Sequence, residues 1–262
     1  MADILLVLFT GFLTGITTIA FGFGGGFVVV PFVYHVVSAS GEYPGQAMHI
    51  AVATSAAVMV LNASYATVTQ WRRGNVLSET ITPLIFFISA GAVIGVFAAM
   101  RLPDAVVRGL FILYMLVTIA DCLLRKGFIT KPPRMARSTS SLWLGGPLIG
   151  VIAAMLGVGG SVMTVPLLRR QGYEMKYCVS AANPLSIPVA LVAAALYSYL
   201  GMGEVNGPGY FGYVNLWILG WLLVSGIMGI TFAKRVLPCV DDRLHARIYV
   251  LLLVLVLIAI AL

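Results

Sequence analysis

The amino-acid sequence predicts an all-α membrane protein of about eight transmembrane helices, arranged as two homologous four-segment repeats with glycine-broken helices. Three observations support this fold class: the composition, a series of long apolar stretches and an internal repeat. Sixty per cent of the residues are apolar and ten per cent are charged, whereas a soluble globular chain is about one-quarter charged. A soluble fold would have to bury nearly every side chain of this chain, so lipid is the better surrounding medium.

Eight stretches of the sequence are apolar enough to cross a bilayer, which requires about 20 residues per helix. They lie near residues 4–34, 47–70, 80–100, 104–124, 141–168, 177–200, 211–233 and 245–262. The first and the fifth exceed one crossing, and each contains a glycine cluster. Each is therefore either a broken helix or a crossing followed by a short re-entrant piece, because irregular backbone at membrane depth must be buried in protein or line a cavity.

An internal repeat divides the chain almost at its midpoint. Residues 22–31 (GFGGGFVVVP) align without gaps with residues 157–166 (GVGGSVMTVP), at a separation of 135. Weaker echoes follow in the same order at 51–55 and 180–184, and at 102–103 and 237–238. Many secondary transporters are built from such repeats, with the substrate site at the repeat interface.

The repeat predicts a first transmembrane unit over 1–126, a basic linker over 127–140 and a second transmembrane unit over 141–262. The basic, proline-broken linker is the anchor for the cytoplasmic side. Eight simple crossings would divide the basic residues almost evenly between the two faces. Incomplete crossings, or inverted repeats with an odd number of crossings each, would both explain this balance.

The glycine clusters are the first candidate site. Gly24, Gly25 and Gly26 in one half, and Gly159, Gly160 and Ser161 in the other, leave the backbone bare. An unwound stretch followed by a helix N-terminus presents free amide groups and a positive dipole end, which attract an anion. The alternative is close helix packing by small residues, which is common in membranes.

Polar side chains near these clusters extend the candidate site. Thr54 and Ser55 lie early in the second stretch, and Asn183 holds the matching place in the sixth. These groups are predicted to donate hydrogen bonds to a bound oxyanion. The structural alternative is that the hydroxyls hydrogen-bond to their own helix and that Pro184 and Pro188 only kink it.

Ionisable residues within apolar stretches indicate function by default. His49 is either a proton carrier or an interfacial histidine, whereas Asp121 and Arg125 form an ordinary i,i+4 pair. Arginines at the ends of the stretches are interpreted as headgroup contacts, with the attraction of anions to the pore mouth as the alternative: Arg72, Arg73, Arg101, Arg108 and Arg247.

No enzyme chemistry is predicted. The sequence contains no Ser-His-Asp set, HExxH motif, Cys/His cluster or Walker lysine, so neither a catalytic residue, a cofactor nor a bound metal is expected. Cys122, Cys178 and Cys239 have no motif spacing and are read as small hydrophobic residues. The basic residues flank apolar stretches, which argues against a nucleic-acid partner.

The paired motifs at 22–31 and 157–166 resemble the sulfite exporter TauE/SafE family of membrane permeases. The segment 51–55 and Gly74-Asn75-Val76 after a basic turn fit the same resemblance, which covers about residues 4–260. It implies a secondary carrier for small sulfur-containing anions: sulfite, sulfonates such as sulfoacetate, or related organosulfur acids. Ser161 replaces the third glycine and Asn183-Pro184 stands where a Thr-Ser-like pair is expected, which leaves another oxyanion or sulfonate open.

The leading hypothesis is an anion permease of the cell inner membrane that works by alternating access. Its small anionic substrate would bind between the halves, with His49 as the proton-coupling candidate. The lipid bilayer is the expected surrounding partner, and a homodimer is left open. A passive anion channel and a non-transporting scaffold or sensor subunit are the alternatives.

Overall fold

The computed structural model describes residues 2–72, 78–124, 128, 139–170, 172–236 and 241–262. These residues form ten α-helices and one two-stranded hairpin. The elements are α1 (Ala2–Phe21), α2 (Gly26–Ser40), α3 (Ala47–Trp71), α4 (Ser78–Ala99), α5 (Asp104–Leu124), α6 (Thr139–Leu156), α7 (Ser161–Arg170), α8 (Met175–Leu200), β1 (Tyr210–Phe211), β2 (Val214–Asn215), α9 (Leu216–Val236) and α10 (Asp242–Ala261). The predicted linker 127–140 lies outside the described residues apart from Phe128 and the start of α6. The predicted 237–238 echo, the 74–76 motif, Arg73, Arg125 and Cys239 also lie outside them.

The chain is a multi-pass, all-α membrane protein. Six helices among the described residues are long and apolar enough to cross a bilayer, namely α1, α3, α5, α8, α9 and α10. The helix α2 has 15 residues, and the described apolar parts of α4 and α6 cover 85–99 and 145–156. The number of eight crossings therefore stays a prediction.

Both overlong stretches are broken at their glycine clusters. The first stretch is α1 followed by α2, and the fifth is α6 followed by α7. Residues 22–25 and 157–160 leave the helical conformation in between. Gly25 has φ 98° and Gly157 has φ 68°, a left-handed backbone that glycine adopts without steric cost.

The predicted seventh stretch, 211–233, begins too early. Residues 210–215 form an antiparallel hairpin, and α9 starts only at Leu216. Gly209 and Gly212 have φ of 91° and 56°, which turns the chain before the helix can begin.

The helices α3 and α8 form the buried centre and run antiparallel. The amide of Asn183, early in α8, contacts Gln70 at the end of α3, whereas Ala190, further along α8, packs with Met59 and Ala63 earlier on α3. The helix α2 packs on α3, and α7 packs on α8.

A second antiparallel pair is formed by α5 and α10. Arg108, near the start of α5, donates from Nε to Ile260 O at 3.0 Å and from Nη2 to Ala261 O at 3.0 Å. Its guanidinium also lies over the ring of Tyr34. The side chain of Arg108 therefore caps the end of α10, where helix carbonyls are otherwise unpaired, and its contact with lipid headgroups stays a prediction.

The helices α1 and α9 pack lengthwise through small residues and run parallel. A side chain at Gly11 would meet Leu222, and one turn later a side chain at Gly15 would overlap the carbonyl of Gly226. Such close backbone approach is typical of helix pairs in membranes.

The helices α4 and α6 form the same kind of parallel pair. A side chain at Gly91 would overlap the carbonyl of Pro147, and one at Gly95 would overlap the carbonyl of Val151. The α1–α9 and α4–α6 pairs thus flank the α3–α8 centre on the two sides.

The outer helices expose apolar stripes. Exposed large side chains recur at helical spacing at Leu113, Leu116 and Val117 on α5, Val224, Met228 and Phe232 on α9, and Leu251 and Leu255 on α10. Apolar residues on the outside of a bundle are the pattern expected where lipid is the solvent.

Candidate functional site

The two glycine breaks meet at the centre of the bundle. A Cβ on Gly26 would overlap the carbonyl oxygen of Gly157, so the two backbones are in direct contact. The Ser55 hydroxyl on α3 lies between them, 3.1 Å from Gly26 O and 2.8 Å from Gly157 O. Ser55 is fully buried and therefore joins the break of one half to the break of the other.

Met59, one turn after Ser55, fills the gap between the breaks. A Cβ on Gly24 would lie 2.6 Å from Met59 Cγ, and one on Gly159 would lie 2.6 Å from Met59 Sδ. The thioether is fully buried. An unbranched, flexible side chain in this place can adopt another rotamer and vacate the gap.

Each break ends at a helix N-terminus. Gly25 is the N-cap of α2 and supplies no side-chain cap, and Ser161 is the first residue of α7. The first N–H groups of a helix have no acceptor within the helix, and the macrodipole adds roughly half a positive charge there. The breaks thus place two electropositive backbone ends in the same region.

Several buried polar groups at or near the breaks lack a hydrogen-bond partner among the described residues. They are Thr14 Oγ1, both amide atoms of Asn62, Ser161 Oγ and Asn183 Oδ1. Leaving such a group unsatisfied costs about 1–3 kcal/mol. Unpaired polar groups gathered at one place are a reason to expect a ligand or water there.

The structure brings some of the predicted site residues together and not others. Gly24, Gly25, Gly26, Ser55, Gly159, Gly160 and Ser161 lie in or against the breaks. Thr54 instead accepts a hydrogen bond from Asn215 N at 3.0 Å and holds the hairpin on α3. Asn183 donates to Thr18 O at 3.1 Å and to Gln70 Oε1 at 3.3 Å, so it lies at the edge of the candidate site.

His49 is a buried member of an ion pair. Its Nδ1 lies 2.6 Å from Asp104 Oδ1 and its Nε2 lies 3.1 Å from Ala99 O. Both neighbours are acceptors, so both bonds form together only when both ring nitrogens carry protons. Six residues of helix, about 9 Å of rise, separate His49 from Ser55, so His49 does not line the breaks.

The second half contains a corresponding ion pair that the sequence did not reveal. The fully buried Arg169 donates from Nη2 to Asp242 Oδ2 at 2.6 Å and from Nη1 to Asp242 Oδ1 at 3.1 Å. Its Nε donates to Phe128 O and its Nη1 to Tyr173 O. The charge of Arg169 is thus paired and is not directed at the breaks.

Asn62, Met59 and Thr14 are site residues that sequence reasoning missed. Ser55, Met59 and Asn62 occupy positions i, i+4 and i+7 of α3, which share one helix face. A single asparagine at that spacing inside an apolar helix was the available signal, because polar groups inside a membrane are costly.

No metal site is formed by the described part of the chain, where no three His, Cys, Asp or Glu side chains come together. Cys122 and Cys178 are buried and unpaired with each other.

A comparison with known proteins connects this geometry to a family. The profile of the sulfite exporter TauE/SafE family matches residues 7–260. The chain belongs to the TauE/SafE family. A probable membrane transporter protein of Haemophilus influenzae is 25% identical over 232 residues, covering 87% of this chain and 83% of that protein. A probable membrane transporter protein of Methanocaldococcus jannaschii is 25% identical over 245 residues, covering 89% and 87%. No solved structure matches the chain.

The TauE/SafE protein described here is accordingly a membrane transporter. Its relatives are named as transporters rather than enzymes. The match spans both glycine breaks and all but the ends of the chain.

Proposed function

We propose that this protein is a secondary carrier of small sulfur-containing anions, with the anion bound where the N-termini of α2 and α7 meet. The observation that carries the proposal is the direct contact of the two glycine breaks against Ser55. Beside them lies the Ser161 hydroxyl, which has no hydrogen-bond partner among the residues that the structure describes. Sulfite, sulfonates and related organosulfur acids are the substrate class that the family name suggests. The inner membrane of the cell is the proposed location.

The chemistry of the breaks suits an anion. Backbone N–H groups and hydroxyl donors stabilise an oxyanion without a buried cation, and a transport site benefits because a permanently charged partner would have to be neutralised in the empty carrier. Met59 would leave the gap when the anion enters. The unpaired hydroxyl of Ser161 would then gain its missing acceptor.

The carrier is proposed to consist of two inverted copies, 1–126 and 141–262. The order α1 to α5 would correspond to α6 to α10. The two-fold axis that exchanges the copies then superimposes the α1–α9 pair on the α6–α4 pair, and the helices within each pair run parallel. In the α3–α8 and α5–α10 pairs, each helix packs against its own counterpart from the other half. Both pairs run antiparallel, as a two-fold axis in the membrane plane requires.

Two pairs of contacts support this correspondence and set its register. Asp104, at the start of α5, accepts a hydrogen bond from Met48 N at 2.7 Å. Asp242, at the start of α10, accepts one from Met175 N at 2.8 Å. Met48 and Met175 are 127 residues apart (175 − 48).

The glycine breaks give the same register. Gly157 packs against Val52 of α3, and Gly22 packs against Val179 of α8, which are again 127 apart (179 − 52). The sequence echo that matches Thr54 with Asn183 is 129 apart (183 − 54) and so is two residues out of register under this proposal.

Alternating access would follow from rocking one half against the other around the breaks. The bond from Ser55 to Gly157 joins the halves and would break in each cycle. Asp104, the partner of His49, lines a cavity of about 590 Å³ together with Ala47. A proton could reach the pair from that side, which supports His49 as the coupling residue.

A carrier is favoured over a passive channel because Ser55, Asn62 and Ser161 are fully buried, so the candidate site is occluded. The two functions differ in one measurable property. In liposomes with an imposed pH gradient, a coupled carrier concentrates its anion, whereas a channel only dissipates a gradient.

The test is transport by the purified protein in liposomes, measured as currents on solid-supported membranes with sulfite, sulfate and a set of sulfonates. Gly25→Ala is expected to lower transport at least about tenfold, because the new Cβ would lie 2.7 Å from Thr14 Cγ2 at φ 98°. Gly220→Ala is the matched control, since nothing lies within 4 Å of that position.

Ser161→Ala is the milder companion variant. It removes an unpaired hydroxyl, so thermal stability should be unchanged while KM rises roughly fivefold, which corresponds to one lost hydrogen bond. Absence of a current with every anion, or equal transport by Gly25→Ala and Gly220→Ala, would overturn the proposed function.

A further inference from the structure

Asn62 presents a buried amide that the protein itself leaves unsatisfied. The side chain is fully buried on α3, and neither its nitrogen nor its oxygen has a hydrogen-bond partner among the described residues. A buried amide is normally paired. Asn62 therefore indicates that a polar group from outside the described residues binds at this place.

The amide is held beside the N-terminus of α2. A Cβ on Gly25, the N-cap of α2, would lie 3.1 Å from Asn62 Nδ2. On the other side, a Cβ on Gly226 of α9 would lie 3.0 Å from Nδ2 and 3.2 Å from Oδ1. Both neighbours are glycines, so no side chain separates the buried amide from the backbone of the break.

A second unsatisfied group lies at the same place. Thr14 of α1 is fully buried, its Oγ1 has no hydrogen-bond partner in the described part of the chain, and its methyl group would be 2.7 Å from a Cβ on Gly25. The corner between α1, α3 and α9 therefore holds an amide and a hydroxyl next to the proposed anion site.

The chemistry of this corner differs from that of the breaks. An oxyanion accepts hydrogen bonds only, so backbone N–H groups satisfy it completely. An asparagine side chain offers two N–H donors and also a carbonyl oxygen, which is an acceptor. A bare oxyanion cannot satisfy that oxygen, because it has no hydrogen to donate.

We infer that the substrate carries a hydrogen-bond donor next to its anionic group, and that Asn62 and Thr14 form hydrogen bonds with this donor group. A hydroxyalkyl sulfonate has the required chemistry, because its hydroxyl donates to Asn62 Oδ1 and accepts from Nδ2 or from Thr14. Bare sulfite lacks a carbon-borne donor. This inference rests on the proposed function and narrows its substrate class.

The predicted discrimination is large. A site built to bond a substrate hydroxyl rejects an analogue that lacks it, because its own polar groups are then left unpaired. The protein should therefore transport 2-hydroxyethanesulfonate at least about tenfold more efficiently than ethanesulfonate, which has the same charge and nearly the same size. In Asn62→Leu the ratio of the two efficiencies should fall towards one.

The stability of Asn62→Leu shows whether a change in transport comes from a folding defect. Leucine has nearly the shape of asparagine, and Asn62 loses no partner on replacement, so Asn62→Leu should unfold at the same temperature as the parent or higher. A merely structural asparagine would instead destabilise the protein when it is removed. Thr14→Val removes the second group at constant shape and should lower the same ratio.

Asn206→Leu is the matched control, because Asn206 is exposed and bonds only locally to Gly203 O. It should keep the ratio of the parent. The experiment measures currents from sulfite, ethanesulfonate and 2-hydroxyethanesulfonate with liposomes containing the full chain.

The outcomes separate the two proposals. Equal transport of the two sulfonates by the parent, or an unchanged ratio in both Asn62→Leu and Thr14→Val, overturns the inference and leaves the anion carrier standing. A parent that transports none of the three anions removes the proposed function and this inference with it.

Discussion

Ser55 carries a hydrogen bond that joins the two glycine breaks, and its removal tests that connection. In Ser55→Ala the carbonyls of the buried Gly26 and Gly157 lose the hydroxyl that lies 3.1 Å and 2.8 Å away. One hydroxyl proton is shared between them, so the loss amounts to one net hydrogen bond of about 1 kcal/mol. The desolvation of a carbonyl left unsatisfied raises the cost to about 1–3 kcal/mol.

The assay is denaturant unfolding of the purified protein in detergent, together with transport in liposomes. A cost of about 1–2 kcal/mol shifts a two-state population roughly 5–30-fold. The closed arrangement should therefore lose stability, and unfolding should begin at lower denaturant concentration. Ser89→Ala is the control, because the Ser89 hydroxyl donates to Ile85 O at 2.7 Å within its own helix and such back-bonding contributes little.

The reasoning is refuted if Ser55→Ala and Ser89→Ala unfold alike and transport alike. That result would mean that the two breaks are held together without Ser55, and that the halves do not separate at this bond.

Two further predictions concern the ion pairs. Arg169→Met should destabilise the protein by about 1–3 kcal/mol, because the partly exposed carboxylate of Asp242 loses its cation and the carbonyls of Phe128 and Tyr173 lose a charged donor; the double variant with Asp242→Leu should recover part of the loss, and an undiminished loss would show that the pair is not the cause. His49 bonds Asp104 and Ala99 O together only with both ring protons, so this contribution is present at low pH and is lost as pH rises and the imidazolium deprotonates. His49→Gln should therefore flatten the pH dependence of transport between pH 5 and 8, where an ordinary histidine titrates, and an unchanged pH profile would remove His49 from the coupling role.

The glycine breaks could be predicted because the glycine cluster occurs twice in the sequence. Clusters that interrupt apolar stretches have no helical explanation, and their repetition at a constant separation marks them as one structural element. The helix boundaries at residues 21–26 and 156–161 follow directly from this pattern. The hairpin at 210–215 was missed because its tyrosine and valine residues are as apolar as the helix that follows.

The contacts across the bundle could not be predicted in the same way. The pair of His49 with Asp104 and that of Arg169 with Asp242 join residues 55 and 73 positions apart. Nothing local in the sequence indicates these pairings, because they depend on how α5 is placed against α3 and how α10 is placed against α7.

The polar part of the candidate site was predicted only in part. Ser55 was identified because it follows the glycine motif in a small-residue helix. Thr54 is its neighbour in sequence but points to a different contact, Asn215, since adjacent residues on a helix face about 100° apart. Asn62 has no echo in the other half and was therefore not recognised.

Protection of a cysteine at the start of α7 tests the central claim most directly. Ser161→Cys would be made in a chain whose three native cysteines are replaced by alanine, and its reaction with a small methanethiosulfonate reagent would be followed during transport. Met202→Cys in the loop after α8 is the control, because Met202 is exposed and distant from the breaks in sequence. A saturating transported anion should slow the labelling of Cys at 161 at least about fivefold and leave the control unchanged. Equal labelling of position 161 with and without an anion that the same liposomes transport would show that the anion does not bind at the breaks.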